Sequence, residues 1–100
     1  MGRDAANVRV TIYDDCNVDC EEVNLSKGVG DQIEWQSTGQ AFTVEFEDSP
    51  FELSRFDVLA GQSTCSGPVA KTALFVTYHY AIRPTGSSSG GADPDVNVKH

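Results

Sequence analysis

Apolar and polar residues alternate along most of the chain with the period of two that a β-strand requires. The apolar members of these segments are Val8, Val10 and Ile12; Val23 and Leu25; Ile33 and Trp35; Phe42, Val44 and Phe46; and Val96 and Val98. Glycine or proline lies between most of the segments, and none of the segments has the apolar spacing of a long helix. The pattern therefore predicts an all-β sandwich of seven or eight strands, with antiparallel sheets that each turn one face to a core.

The longest predicted strand covers residues 72–82 and places alternate side chains on opposite faces of a sheet. Its inner face is expected to carry Leu74, Val76, Tyr78, Tyr80 and Ile82, and its other face Phe75, Thr77, His79 and Ala81. Trp35 has the same parity as Ile33, so we expect its side chain to face the core. Cys65 lies in a short predicted strand at residues 62–65, where we expect it to be a small packing residue.

The segment after Pro50 is the least regular part of the apolar pattern. Its apolar residues are Phe51, Leu53, Phe56 and Val58. Their spacing fits either a short helical turn or an irregular connection. The simpler interpretation is that the segment covers one end of the sandwich. Any of these side chains that does not reach the core would contribute to an apolar surface for a partner.

Length and composition predict one domain that covers residues 1–100. Apolar residues make up 39% of the chain, and one Trp, five Phe and three Tyr can build a core that needs no disulfide. Residues 84–92 are rich in Gly and Ser, a composition that is typical of a flexible loop. We expect the domain to be a monomer.

The chain is acidic, with fifteen Asp and Glu against seven Lys and Arg and a formal net charge of −8. This charge argues against binding to nucleic acid and to anionic membranes, because both would repel the protein. The longest apolar run, residues 73–76, is too short to cross a bilayer. The first residues lack the apolar region of a signal peptide, which predicts a cytoplasmic protein by default and an exported one if a leader has been removed.

Residues 14–22 form an acidic turn between the first two predicted strands and contain the candidate metal ligands. These are Cys16, Cys20, Asp15, Asn17 and Asp19. Thiolates select copper(I) or zinc, whereas the alternating carboxylate and amide oxygens suit a weak calcium site. The two cysteines could instead form a local disulfide, and the odd total of three cysteines also fits free thiols in a reducing compartment. The plainest alternative is a solvated turn whose polar side chains bond the backbone.

No group of catalytic residues stands out in the sequence. It has neither the G-x-S-x-G nucleophile elbow nor a phosphate-binding glycine loop that leads into a helix. His79 alternates with the inward tyrosines, and the sequence assigns it no hydrogen-bond partner, although a general base needs one. The chain is therefore predicted to be non-enzymatic and to use no cofactor.

Several segments together resemble the cupredoxin-like proteins, the family with the blue-copper fold. Residues 27–35, KGVGDQIEW, are similar to the family's K-G-D-x-V-x-W strand, and residues 42–46, FTVEF, to the strand that follows it. The strand around Tyr78 and Tyr80 and the closing residues 93–98 take the positions of the fold's last hairpin. The resemblance covers residues 8–98 and implies a Greek-key sandwich of two sheets.

The copper ligands of that family are missing at the matching positions. A blue-copper site takes two His, one Cys thiolate and usually a weak axial Met. The first His position falls on Phe42, with Gln40 as its nearest polar neighbour, and residues 83–91 contain no Cys, His or Met. The resemblance therefore implies the fold without a type 1 copper site. We expect a binding module for a protein or small-ligand partner, with a metal-binding protein that uses the loop 14–22 as the alternative.

Overall fold

The computed structural model describes residues 6–13, 17–86 and 94–99. Within these ranges the chain forms eight strands and no helix. The strands are β1 (Asn7–Ile12), β2 (Glu22–Ser26), β3 (Gln32–Ser37), β4 (Phe42–Phe46), β5 (Arg55–Val58), β6 (Ser63–Cys65), β7 (Thr77–Pro84) and β8 (Asp95–Lys99). The predicted all-β sandwich of seven or eight strands is confirmed.

The strands form one sheet of three, in the order β1-β3-β6, and one of five, in the order β2-β8-β7-β4-β5. β1 pairs with β3 in parallel, and so does β2 with β8, whereas the other pairs are antiparallel. The expectation of wholly antiparallel sheets was wrong for these two pairs. The chain leaves the first sheet after β1, forms β2 in the second sheet and returns as β3, and such a crossover makes the strands parallel.

The core is built around Trp35, whose side chain is fully buried as the sequence predicted. Its ring centroid lies 5.0 Å from that of Phe56 and 5.6 Å from that of Tyr80. Phe46 and Phe51 complete this aromatic cluster, in tilted and edge-on arrangements that aromatic pairs prefer. Burial raises the pKa of the Tyr80 hydroxyl well above its usual range, so this group is neutral in the core.

The segment after Pro50 covers one end of the core, as the simpler interpretation held. Phe51, Phe56 and Val58 are buried, and the last two belong to β5. Leu53 is the exception, with 63% of its surface exposed. The segment thus contributes one apolar side chain to the surface.

The predicted strand at residues 72–82 begins later than expected, at Thr77, and continues to Pro84. Its inward side chains Tyr78, Tyr80 and Ile82 are buried as predicted. The prediction was wrong for Leu74 and Val76, which are exposed. The chain forms a turn at residues 71–72, in which the Ala73 N–H donates to the Ala70 carbonyl, and a bend at residues 75–76, so Leu74 and Val76 precede β7 and do not belong to its inner face.

Two further expectations are corrected. Cys65 is exposed and not packed, because β6 is a three-residue strand at the edge of its sheet. Pro84, expected in a flexible loop at 84–92, is the last residue of β7 and pairs with Phe42. A strand tolerates proline at such a terminal position, where its missing N–H interrupts no further bonds. Most of that loop, residues 87–92, lies outside the described residues.

The strand directions give the sandwich two distinct ends. One of them holds all three lysines of the chain, Lys27, Lys71 and Lys99. Strands β1, β3 and β7 start there, and strands β2, β4 and β8 finish there. We call it the lysine end. The opposite end carries the loop between β1 and β2, together with the turns around residues 38–41 and 59–62, and we call it the acidic end.

Candidate functional site

The acidic loop is held against β1 by its own polar groups. The Asp19 carboxylate accepts a hydrogen bond of 2.8 Å from the Thr11 N–H, and the Asp19 N–H donates to the Thr11 carbonyl at 3.2 Å. The Asn17 carbonyl accepts from the Tyr13 N–H at 2.8 Å. Asp19 therefore closes the loop in the manner of a polar turn residue.

The metal-site and disulfide hypotheses for this loop stay predictions. Asp15 and Cys16 lie outside the described residues. Cys20 packs against the core, and its Sγ donates to the Glu22 carbonyl at 3.1 Å. Among the described residues, no three His, Cys, Asp or Glu side chains are arranged to hold a metal ion.

The described positions that match the blue-copper ligands hold none of the residue types of that ligand set. Phe42 is fully buried in the core, and the Gln40 carbonyl accepts a hydrogen bond from the Ser37 hydroxyl. The Thr85 N–H donates to the Ala41 carbonyl at 3.0 Å, which joins the start of β4 to the end of β7. Described residues 38–42 and 83–86 contain no soft or imidazole ligand, so they do not fit type 1 copper.

His79 has a partner that the sequence did not reveal. Its Nδ1 lies 2.6 Å from Oδ1 of Asp95, because the antiparallel register of β7 and β8 places these two residues opposite each other. On the outer face of the five-stranded sheet, the His79 side chain is 60% exposed and the Asp95 side chain 40%. An open depression beside His79 is lined by the carboxylates of Glu47 and Asp48. The pair orients an imidazole, but solvent screening makes such an exposed pair weak.

The lysine end has the most distinctive surface of the described chain. Leu74, Phe75 and Val76 follow one another in sequence, and 65%, 50% and 48% of their respective surfaces are exposed. We call residues 74–76 the docking segment. Most apolar residues that a folded domain leaves exposed are scattered singly, so three in a row set this part of the surface apart.

The docking segment is held in place although its side chains face water. The Leu74 N–H donates to the Tyr78 hydroxyl at 2.9 Å, and the Val76 carbonyl accepts from the Val98 N–H at 3.1 Å. The Lys27 ammonium donates to the Ala73 carbonyl at 2.8 Å and lies 5.1 Å from the centroid of the Phe75 ring. Such a fixed segment loses little conformational entropy when it binds.

A groove runs beside the docking segment across the lysine end. It has a volume of about 990 Å³, and its walls include Val29, Phe51, Leu53 and Pro68 together with Lys27 and Lys71. The sequence did reveal the apolar character of Leu53. It did not reveal the groove, because the two lysines and the apolar side chains of its walls come from parts of the chain that only the fold brings together.

Comparison with known proteins shows the fold and nothing finer. No family model matches the chain, and no curated protein matches it. A chain of the cryo-EM structure of a heme-copper terminal oxidase dimer superposes with a TM-score of 0.59 at 14% sequence identity. The match covers 96% of this chain but 65% of that chain, so this chain spans less than two thirds of its length. In the described residues, no helix is long and apolar enough to cross a membrane.

Proposed function

We propose that the chain is a non-enzymatic, cupredoxin-like domain without type 1 copper, which binds a protein partner through the docking segment. The observation that carries the proposal is the run of three exposed apolar side chains on a backbone fixed by hydrogen bonds. The fold likeness to an oxidase chain supports the fold part of the proposal.

The position of the segment supports this function further. Leu53 adds a fourth exposed apolar side chain at the same end, and the groove that it lines is large enough to take side chains of a partner. Burial of one large apolar side chain contributes about 1.5 to 3 kcal/mol, so a few such contacts suffice for a specific complex. The exposed His79 and Asp95 pair lies on the outer face of the sheet and is not needed for this contact.

The test places a photo-crosslinking amino acid at position 75 and, in a second protein, at position 59. Leu59 is a matched control because 57% of its surface is exposed, but at the acidic end. Position 75 should give a discrete adduct with one protein of the native source, and position 59 should not. The crosslinked protein is then identified, purified and titrated against the domain.

In that titration the double variant Leu74→Ser with Phe75→Ser should weaken binding by at least about thirtyfold, since one central apolar contact is worth about 2 kcal/mol. The control Leu59→Ser should bind like the wild type. Both variants should keep the wild-type urea midpoint, because exposed side chains contribute little to stability. Equal binding by the double variant and the wild type would refute the proposal.

A further inference from the structure

We infer that the partner segment is acidic and amphipathic: it carries carboxylates beside an apolar side chain, and it lies along the β8 side of the docking segment. This inference rests on the proposed function and adds the chemistry of the partner. It follows from the charges on the two sides of the docking segment, which differ in sign.

The side that faces β8 and β2 is positive. A shallow groove of about 530 Å³ there is lined by Phe75, Val76, Thr77, Asn97, Val98 and Lys99. No carboxylate is among these lining residues. Lys27 lies over the Phe75 ring at the same place, so two ammonium groups flank the apolar surface. A carboxylate of a partner would meet these ammonium groups while a neighbouring apolar side chain covers Phe75 and Val76.

The side that faces β4 is negative. Glu47 and Asp48 line the depression on that side of Val76, and no Lys or Arg is among its lining residues. A flat anionic surface, such as a bilayer of acidic lipids, would cover the whole end and meet these carboxylates as well. A narrow acidic segment along β8 meets only the lysines. The arrangement therefore favours an acidic protein segment over an anionic membrane.

The net charge of −8 does not oppose this binding. Asp19, Glu21 and Glu22 lie at the acidic end, and β2 separates Glu22 from Ser26 at the lysine end. Four residue steps of a strand span about 13 Å, whereas charges in physiological salt are screened beyond about 8 Å. The lysines close to the docking segment therefore decide the local preference.

The experiment uses the full chain and three synthetic eight-residue peptides, followed by amide chemical shifts. The first peptide alternates Glu with Leu and Phe, the second has Lys in place of every Glu, and the third has Ser in place of every Leu and Phe. The first should shift the amides of Phe75, Val76 and Lys99 and bind at least about tenfold more tightly than the other two, because only it satisfies both the lysines and the apolar surface. Its affinity should fall as salt is raised.

Two variants assign the preference to the lysines. The double variant Lys27→Gln with Lys99→Gln should weaken binding of the Glu peptide about fivefold to tenfold, as expected for two exposed charge pairs. The control Arg55→Gln removes an exposed cation of β5 and should leave binding unchanged. A loss of the same size in both would overturn the inference.

The remaining outcomes separate this inference from the proposed function. Equal binding of the Glu and Lys peptides would overturn the acidic preference. If the double variant Leu74→Ser with Phe75→Ser then abolished binding of both peptides, the proposed apolar contact would still be supported. Absence of shifts with every peptide would overturn the inference, while the crosslinked partner still decides the proposed function. The domain could also bind vesicles of anionic phospholipid through Lys27 and Lys99 and bind none of the peptides. That result would overturn the inference and identify an anionic membrane as the ligand.

Discussion

The two ends of the sandwich differ in how their exposed apolar side chains are arranged, although hydrogen bonds hold the backbone at both. At the acidic end, exposed apolar side chains occur singly, as Tyr13 and Leu59, and the loop is held by the exposed Asp19. At the lysine end, three exposed apolar residues are consecutive, although the backbone there is held just as firmly. The apolar surface at the lysine end is therefore exposed on a backbone that hydrogen bonds hold in place, as the proposed contact requires.

A buried carboxylate organises the lysine end, where the acidic end uses an exposed one. Asp31 is 1% exposed, and its two oxygens accept hydrogen bonds of 2.7 Å from the Ala6 N–H and 2.8 Å from the Ser26 N–H. These bonds join the start of β1 to the end of β2 and fix the turn that carries Lys27. A carboxylate held by buried N–H donors stabilises more than one that competes with water.

The largest expected effect comes from removing that buried carboxylate. Asp31→Ala leaves the Ala6 and Ser26 N–H groups without their acceptors and should lower the free energy of unfolding by about 3 kcal/mol, measured by urea denaturation. The matched change Asp19→Ala at the acidic end should cost about 1 kcal/mol or less, because water replaces the exposed carboxylate. Equal losses in the two variants would break the comparison between the ends.

A smaller effect is expected from the tyrosine that holds the docking segment. Tyr78→Phe removes the acceptor of the Leu74 N–H and should cost about 1 kcal/mol. Hydrogen exchange at the Leu74 amide should accelerate, because that N–H loses its partner. Tyr13→Phe, at the exposed tyrosine of the acidic end, provides the control and should change neither quantity. If Leu74 exchanges at an unchanged rate in Tyr78→Phe, the hydroxyl does not hold the segment.

The alternation of residues predicted the strands well because nearly every strand has one buried face. It failed at Leu74 and Val76 because they share the parity of Tyr78 and Tyr80, and parity does not reveal where a strand begins. The turn before them contains Lys71 and Thr72, with none of the glycine or proline signals that mark other turns.

The candidate site was less predictable than the fold, since it depends on pairing across the sheets. His79 meets Asp95 only through the register of β7 and β8, which a single sequence does not fix. Likewise, Lys27 contacts Phe75 only because the residue after β2 and the docking segment before β7 both lie at the lysine end. The sheet topology brings together residues that are distant in sequence, and no local sequence motif predicts these contacts.

The smallest expected effect concerns the ion pair in the middle of the outer face, between the two ends. Arg83 donates to Glu45 at 2.7 Å, and this hydrogen bond and the charge of Arg83 hold the pKa of the Glu45 carboxyl below its ordinary value of 4.5. The charge of Arg55 lowers this pKa further by a smaller amount. Arg83→Gln should therefore return the pKa of Glu45 towards 4.5, whereas Arg55→Gln should move it less.

The sign of the stability effect follows from the lowered pKa. The folded protein binds the Glu45 proton more weakly than the unfolded chain does, so the pair stabilises the fold above pH 4.5 and this contribution is lost as the pH falls through the lowered value. Urea midpoints of wild type and Arg83→Gln should differ slightly at pH 7 and converge in acid, while an NMR titration reports the carboxyl directly. A gap between the midpoints that persists at the acid end would mean that Arg83 stabilises by packing and not by its charge, since protonated Glu45 can no longer attract it.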